Sequence, residues 1–257
     1  MEIVAACYTD AGIIREINQD SLSVKVVNSS KGKIAFAIVC DGMGGLEHGE
    51  LASREVVMAF NNWFGVQCAQ MVAGDSFTLE NICGKWRSLI EGMNEGIAEY
   101  AEKNDMVMGT TVSALLVYQG KFIICHVGDS RIYQIAQGVK QLTADQTLVE
   151  QEVRLGILTR EEARTDRRRN ILLQCVGASN VVKPQFEAGR ITEDTVFLLA
   201  TDGFVHMVSE EELYAVFSPS KGWKKEELMT ECGRMVKLVM DRGERDNVTL
   251  VALAIYK

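Results

Sequence analysis

Apolar positions recur with two periods along this chain, and together the periods predict its elements. Short apolar runs predict strands over 3–8, 22–27 and 33–40; in the second, Leu22, Val24 and Val26 alternate with Ser23 and Lys25, the pattern of a strand buried on one face. Stripes at helical spacing follow. Apolar residues at 52, 56, 57, 60, 63 and 64 predict a helix over 50–64, and those at 79, 82, 86, 89, 90, 93, 97 and 100 predict a longer one over 78–102. A strand-rich block comes next, over 110–118, 122–127 and 131–135, with turns at Gln119-Gly120 and near Gln137-Gly138. Residues 141–169 are polar and charge-dense. They read as a surface excursion with short helical patches, Thr159 and Glu162 having the spacing of a capping box. Strands resume over 185–188 and 196–200, Ser209 and Glu212 cap a short helix, and a third stripe predicts a helix over 224–240 before a closing strand over 248–255. Strands interrupted by pairs of helices, without strict alternation, indicate an α+β fold rather than a doubly wound one. With only two prolines and no polar linker, residues 1–257 read as one domain.

Composition narrows the function classes. A net charge of −8 argues against nucleic acid as the main partner. It leaves phosphorylated substrates open, because a divalent cation reverses the local sign of a site. Seven scattered cysteines with no C-x-x-C pair read as reduced core residues of a cytoplasmic protein, and the three histidines lack any zinc-like spacing with them. No apolar run approaches the roughly 18 residues of a membrane span, and the N-terminal segment lacks the basic start of a signal peptide.

Four apolar runs share one feature: each is bounded by an aspartate. Asp41 follows the run from Ile34 to Cys40, Asp129 follows 122–127 with Gly128 between, Asp202 follows 196–200 with Thr201 between, and Asp246 precedes the run from Val248 to Tyr256. Taken singly, an Asp-Gly pair is a turn. Taken together, four acids at strand ends can meet on one rim, where like charges are costly unless cations neutralise them. Hard oxygen ligands without His or Cys select Mg²⁺ or Mn²⁺, and a carboxylate bridging two such ions builds a hydrolytic site.

Motifs in order along nearly the whole chain strengthen this reading: Arg15-Glu16-Ile17-Asn18-Gln19-Asp20, Asp41-Gly42-Met43-Gly44-Gly45, Gly109-Thr110-Thr111, Val127-Gly128-Asp129-Ser130-Arg131-Ile132-Tyr133, Leu142-Thr143-Ala144-Asp145, Arg169-Asn170, Thr201-Asp202-Gly203 and Asp246-Asn247-Val248-Thr249. With them the chain resembles the metal-dependent serine/threonine protein phosphatases of type 2C, in particular their single-domain bacterial members. The resemblance implies two antiparallel sheets packed face to face with helices outside, a four-layer α-β-β-α sandwich, and a flap over 142–178 beside the site. It implies two Mn²⁺ or Mg²⁺ ions bridged by Asp41. Asp202 and Asp246 complete one ion, the Gly42 carbonyl helps hold the other, and Asp20 supports that second ion directly or through water. Asp129 with Asp202 holds a weaker third ion, and Arg15 grips the substrate phosphate. The implied reaction is hydrolysis of phosphoserine and phosphothreonine in proteins by direct attack of a metal-bridging water, with no phosphoenzyme. The implied partners are phosphorylated proteins and a Ser/Thr kinase that writes them, the enzyme itself being a monomer. The alternative is a catalytically silent relative that binds phosphoproteins or regulates a kinase; retention of every carboxylate argues against it.

Some positions depart from the family pattern. Met43 stands where many eukaryotic members have histidine, and Leu46 where many bacterial members do. Protonation of the leaving group then falls to a metal-bound water, with His48 as a lesser contributor. Thr201 replaces the usual serine and keeps its hydroxyl. His126 reads as a core residue, His206 as structural, and Arg167-Arg168-Arg169 as a solvated charge run that could steer acidic phosphopeptides.

Overall fold

The computed structural model describes residues 1–29, 31–43, 48–74 and 76–257. In chain order the first half contains β1 (Glu2–Asp10), β2 (Ser21–Ser29), β3 (Gly32–Cys40), α1 (Gly49–Trp63), α2 (Ala69–Ala73), α3 (Leu79–Lys103), β4 (Val112–Tyr118) and β5 (Lys121–Val127). Then come β6 (Arg131–Ile135), β7 (Val139–Gln141), α4 (Leu148–Arg154), α5 (Arg160–Thr165), β8 (Gln185–Arg190) and β9 (Thr195–Ala200). The chain closes with α6 (Asp202–Val205), α7 (Glu210–Phe217), α8 (Lys225–Asp241) and β10 (Val248–Tyr256).

The strands form two five-stranded antiparallel sheets, ordered β1-β10-β9-β6-β7 and β2-β3-β4-β5-β8. Central strands such as β3, β4, β9 and β10 are apolar on both faces because each face meets a different layer. Ala37, Val39, Leu115, Phe197, Leu199 and Val251 fill the space between the sheets. The outer face of the second sheet packs Phe36, Ile38 and Leu116 against Phe60, Trp63 and Trp86 of α1 and α3. The outer face of the first sheet packs Leu198, Leu250 and Ala252 against Leu228, Cys232 and Val236 of α8. The four-layer α+β sandwich expected from the sequence is therefore the observed one.

Some elements differ from the sequence pattern. β2 pairs only with β3 and sits at a sheet edge, so Leu22 and Val24 lean on the inter-sheet core while Val26 and Val27 stay exposed. The first helix does not stop near residue 64: a π-helical turn over Phe64–Cys68 carries it into α2, keeping Phe64, Cys68 and Met71 against the core. The excursion carries its two short helices as expected, α5 starting in the capping box of Thr159 and Glu162. Among the described residues no helix is long and apolar enough to cross a membrane.

Candidate active site

Antiparallel topology brings the four acidic run-ends to one rim. β3, β5 and β9 run towards it and end at Asp41, Gly128-Asp129 and Thr201-Asp202, whereas β10 leaves it just after Asp246. Asp41 is fixed through its main chain. Its N–H donates to Thr111 Oγ1 (2.9 Å), and its carbonyl accepts from the Thr111 N–H (2.9 Å) and the Thr110 hydroxyl (2.9 Å). The next peptide is gripped as closely, the Gly42 N–H donating to the Gln19 carbonyl at 3.2 Å. A Cβ on Gly42 would lie 2.4 Å from the Gly49 carbonyl oxygen and 2.5 Å from that of Gln19, so only glycine fits there. Gly44, Gly45 and Leu46 lie outside the described residues.

Asp20 is buried behind this rim. Its Oδ2 accepts from the Thr201 hydroxyl (2.9 Å), which in turn accepts the Thr249 N–H (3.1 Å), while its buried Oδ1 has no hydrogen-bond partner among the described residues. Asp129 is also buried, and its segment is locked from below: the Gly128 N–H donates to Gln146 Oε1 (2.7 Å), and Arg131 forms a forked pair with Asp145 (2.7 and 3.0 Å). Asp246 engages Arg15 through both oxygens, Nε to Oδ1 and Nη2 to Oδ2, each at 3.1 Å. Buried Asn247 supports that pair from both sides of the chain: its Oδ1 accepts the Gln19 N–H (2.8 Å), and its Nδ2 donates to the carbonyls of Ala11 (2.9 Å) and Ile17 (3.2 Å). Asn247 thereby ties the loop carrying Arg15 to the strand carrying Asp246.

Arg15, Asp41, Asp129, Asp202 and Asp246 line one cleft of about 850 Å³. Its far wall comes from the excursion, where Leu172, Leu173 and Val181 stand beside Asn170 and Asn180. Both ends of the excursion are anchored. Gln146 holds the entry, and Asn94 of α3 holds the exit, its Oδ1 accepting the Gly177 N–H (2.8 Å) and its Nδ2 donating to the Ser179 carbonyl (2.9 Å). Between the anchors Arg168 binds Glu152 and Asp166 at 2.8 Å each, so it braces the excursion instead of standing as a free steering charge.

Burial first, and then neighbouring negative charge, pushes the acids above the ordinary carboxylate range. Asp20 rises to about 7, its burial outweighing the hydroxyls of Thr249 and Thr201 and the charges of Asp202 and Asp246 adding to it. Asp41 is pushed well up by burial and by Asp20, Asp202 and Asp129, and Asp129 by burial, Asp202 and Asp145. Asp41 and Asp202 touch water at the cleft mouth, yet enough protein surrounds them that both resist ionising, and the two carboxyls share a hydrogen bond. Protein alone does not balance these charges. Among the described residues, no three His, Cys, Asp or Glu side chains already close around a point where an ion would sit, and Asp246 faces Arg15. The donor chemistry nonetheless suits hard divalent cations: carboxylates, one orphaned carboxylate oxygen and main-chain carbonyls, with no sulfur or imidazole ligand among them.

The structure thus gathers Arg15, Asp41, Gly42, Asp129, Asp202 and Asp246 at one rim, with Asp20 directly behind. His48 takes a left-handed backbone (φ 68°) just before α1 and sits 3.6 Å from Glu50. His206 ends α6 close enough to Asp202 to favour its charged form. The supporting roles of Thr111, Asn247, Gln146 and Asn94 escaped sequence reasoning; the only signal for them was the placing of Thr111 and Asn247 inside quoted motifs and of Asn94 as a polar break in an apolar stripe.

Comparison with known proteins agrees with this architecture. The protein phosphatase 2C family model matches residues 15–231, and the chain belongs to that family. The serine/threonine phosphatase stp of Listeria innocua is 32% identical over 248 residues, covering 95% of this chain and 92% of that one. A serine/threonine phosphatase structure from S. agalactiae superposes with a TM-score of 0.84 at 29% identity, covering 99% of this chain and 100% of that one. The catalytic domain of the serine/threonine protein phosphatase PstP, solved with two manganese ions, superposes with a TM-score of 0.76 at 26% identity, covering 99% of each chain.

Proposed function

We propose that this chain is a divalent-metal-dependent protein phosphatase that hydrolyses phosphoserine and phosphothreonine esters. The observation that carries the reading is the rim itself: carboxylates from four strand ends crowd together in an open cleft beside an arginine, burial raising the pKa values of Asp41, Asp129 and Asp202, with one orphaned oxygen on buried Asp20 behind them. Asp41, Asp202 and Asp246 hold two ions, Mn²⁺ or Mg²⁺, with the Gly42 carbonyl and Asp20 assisting, and Asp129 with Asp202 offers a weaker third position. Bound there, the cations would neutralise the acids and supply the Lewis acidity that activates a water near neutral pH.

The chain's own groups do the rest. The Thr110 and Thr111 bonds fix the peptide of Asp41, so its carboxylate needs little reorganisation. Arg15 presents a planar fork that fits two phosphate oxygens as well as it fits the carboxylate of Asp246. Asn247 keeps the Arg15 loop against the rim whichever partner the fork holds. The open cleft admits a side chain carried on a polypeptide, which favours protein over small-metabolite substrates. In this reading 1–257 acts as one domain and a monomer in the cytoplasm, opposite a Ser/Thr kinase. All seven cysteines are free, as a reducing compartment requires.

The test is p-nitrophenyl phosphate turnover with Mn²⁺, with and without EDTA, comparing wild type with Asp202→Asn. Turnover that survives both chelation and the substitution would sink the proposal. Tight phosphopeptide binding without turnover would favour the silent relative.

A further inference from the structure

A second concave site lies at the end of the sheet opposite the acidic rim. β4 runs away from the rim and β5 returns to it, so their connecting turn at Gln119-Gly120 lies about 20 Å from the carboxylates by strand rise. There a groove of about 430 Å³ opens between that turn, the edge strand β8 and the first turn of α3. Phe77, Leu79, Tyr118 and Ile123 form its apolar wall, with Lys121 and Arg190 at its border. Its volume is that of a small-molecule site.

Two features of the groove are unexplained by folding alone. Lys121 and Arg190 are directly opposite in the β5–β8 register, an arrangement that places two cations on one face and destabilises a strand pair. Neither has a carboxylate partner among the described residues. Finally, the groove reaches Thr78 and Leu79, where the 25-residue helix α3 begins and its backbone presents partial positive charge.

From these we infer that the groove is a binding site for a small organic anion with a flat apolar body. The apolar body packs against Phe77, the Tyr118 ring and Ile123, and the anionic group sits between Lys121 and Arg190. Such a ligand removes the like-charge conflict. The inference is independent of the phosphatase reading, since none of these residues belongs to the acidic rim.

The experiment is calorimetric titration of the full chain with 1-naphthoate and with its neutral counterpart naphthalene-1-methanol. Saturable binding of naphthoate with one site per chain is expected, with the alcohol at least about ten-fold weaker, the ratio a single charge-assisted hydrogen bond supplies. Lys121→Glu and Arg190→Glu, both at exposed positions, should each abolish that discrimination while p-nitrophenyl phosphate turnover stays at the wild-type rate. The inference is overturned by an absence of saturable binding, by equal binding of acid and alcohol, or by charge-reversed variants that bind naphthoate as the parent does.

Discussion

Replacing Gly203 by alanine should separate the stability of this fold from the geometry of its rim. Gly203 is the second residue of α6, directly after Asp202. A Cβ there would lie 2.3 Å from the Asn247 carbonyl oxygen and 3.3 Å from its carbonyl carbon. An ordinary contact needs about 1 Å more, and the obstacle is main chain, which cannot rotate aside. Asn247 is anchored to Ala11, Ile17 and Gln19, so the displacement is shared between Asp202 on one side and Asp246 on the other. Overpacking of this size costs about 1–3 kcal/mol, and each kcal/mol lowers the melting temperature of a chain this long by about 2–4 °C. The protein therefore stays folded at 25 °C. Misplacing a reacting geometry by about 1 Å costs on the order of 100-fold in rate. The assay is Mn²⁺-dependent p-nitrophenyl phosphate turnover alongside a thermal melt. Gly92→Ala serves as the control, because a Cβ on that exposed α3 glycine meets nothing within 4 Å. The control should keep full activity and gain about 0.5–1 kcal/mol from helix propensity. If Gly203→Ala turns over within about two-fold of wild type, the close approach of α6 to Asp246 has no bearing on the chemistry.

Thr201→Val should destabilise the EDTA-treated protein by about 2–3 kcal/mol in urea denaturation, because it strips a donor from Asp20 and an acceptor from the Thr249 N–H, whereas Thr201→Ser should stay within about 1 kcal/mol of wild type. His126 gives a pH signature. Burial lowers its pKa from 6.5 to about 4, despite help from Asp145 and the nearby Gly128 and Ala144 carbonyls, and its Nδ1 shares a 2.9 Å hydrogen bond with Ser113. The unfolded chain therefore takes up the proton first, and this contribution to stability is present above pH 6.5 and lost as pH falls towards 4. The stability difference between wild type and His126→Gln, read from urea midpoints, should shift against wild type by about 3 kcal/mol between pH 7.5 and pH 4. A difference that holds constant across that range would mean that the buried imidazole is not locked neutral.

Much of this site could be read from the sequence because strand ends are legible. An apolar run that stops at an acid places that acid at the edge of a sheet, and Asp41, Asp129, Asp202 and Asp246 all follow this logic, with the resemblance to a known family then assigning them roles. The connections between them were not legible. Thr201 meets Asp20 from 181 positions away and Arg15 meets Asp246 from 231 away, and hydrogen bonds of that kind leave no period in a sequence. Strand β2 forms where the pattern places it, but the exposure of Val26 was not legible. Alternation at Leu22, Val24 and Val26 fits any half-buried strand, and only the pairing shows that its outer end runs along an edge and is left in water.

The two clamps on the excursion have a bearing on how this protein can diversify. Gln146 and Asn94 fasten its ends to the body of the molecule, and the cross-braces of Arg168 lie wholly inside it. Residues between the fastenings can change in length or character without pulling on the acids across the cleft. New target preferences can be tried there while the acidic rim is inherited intact.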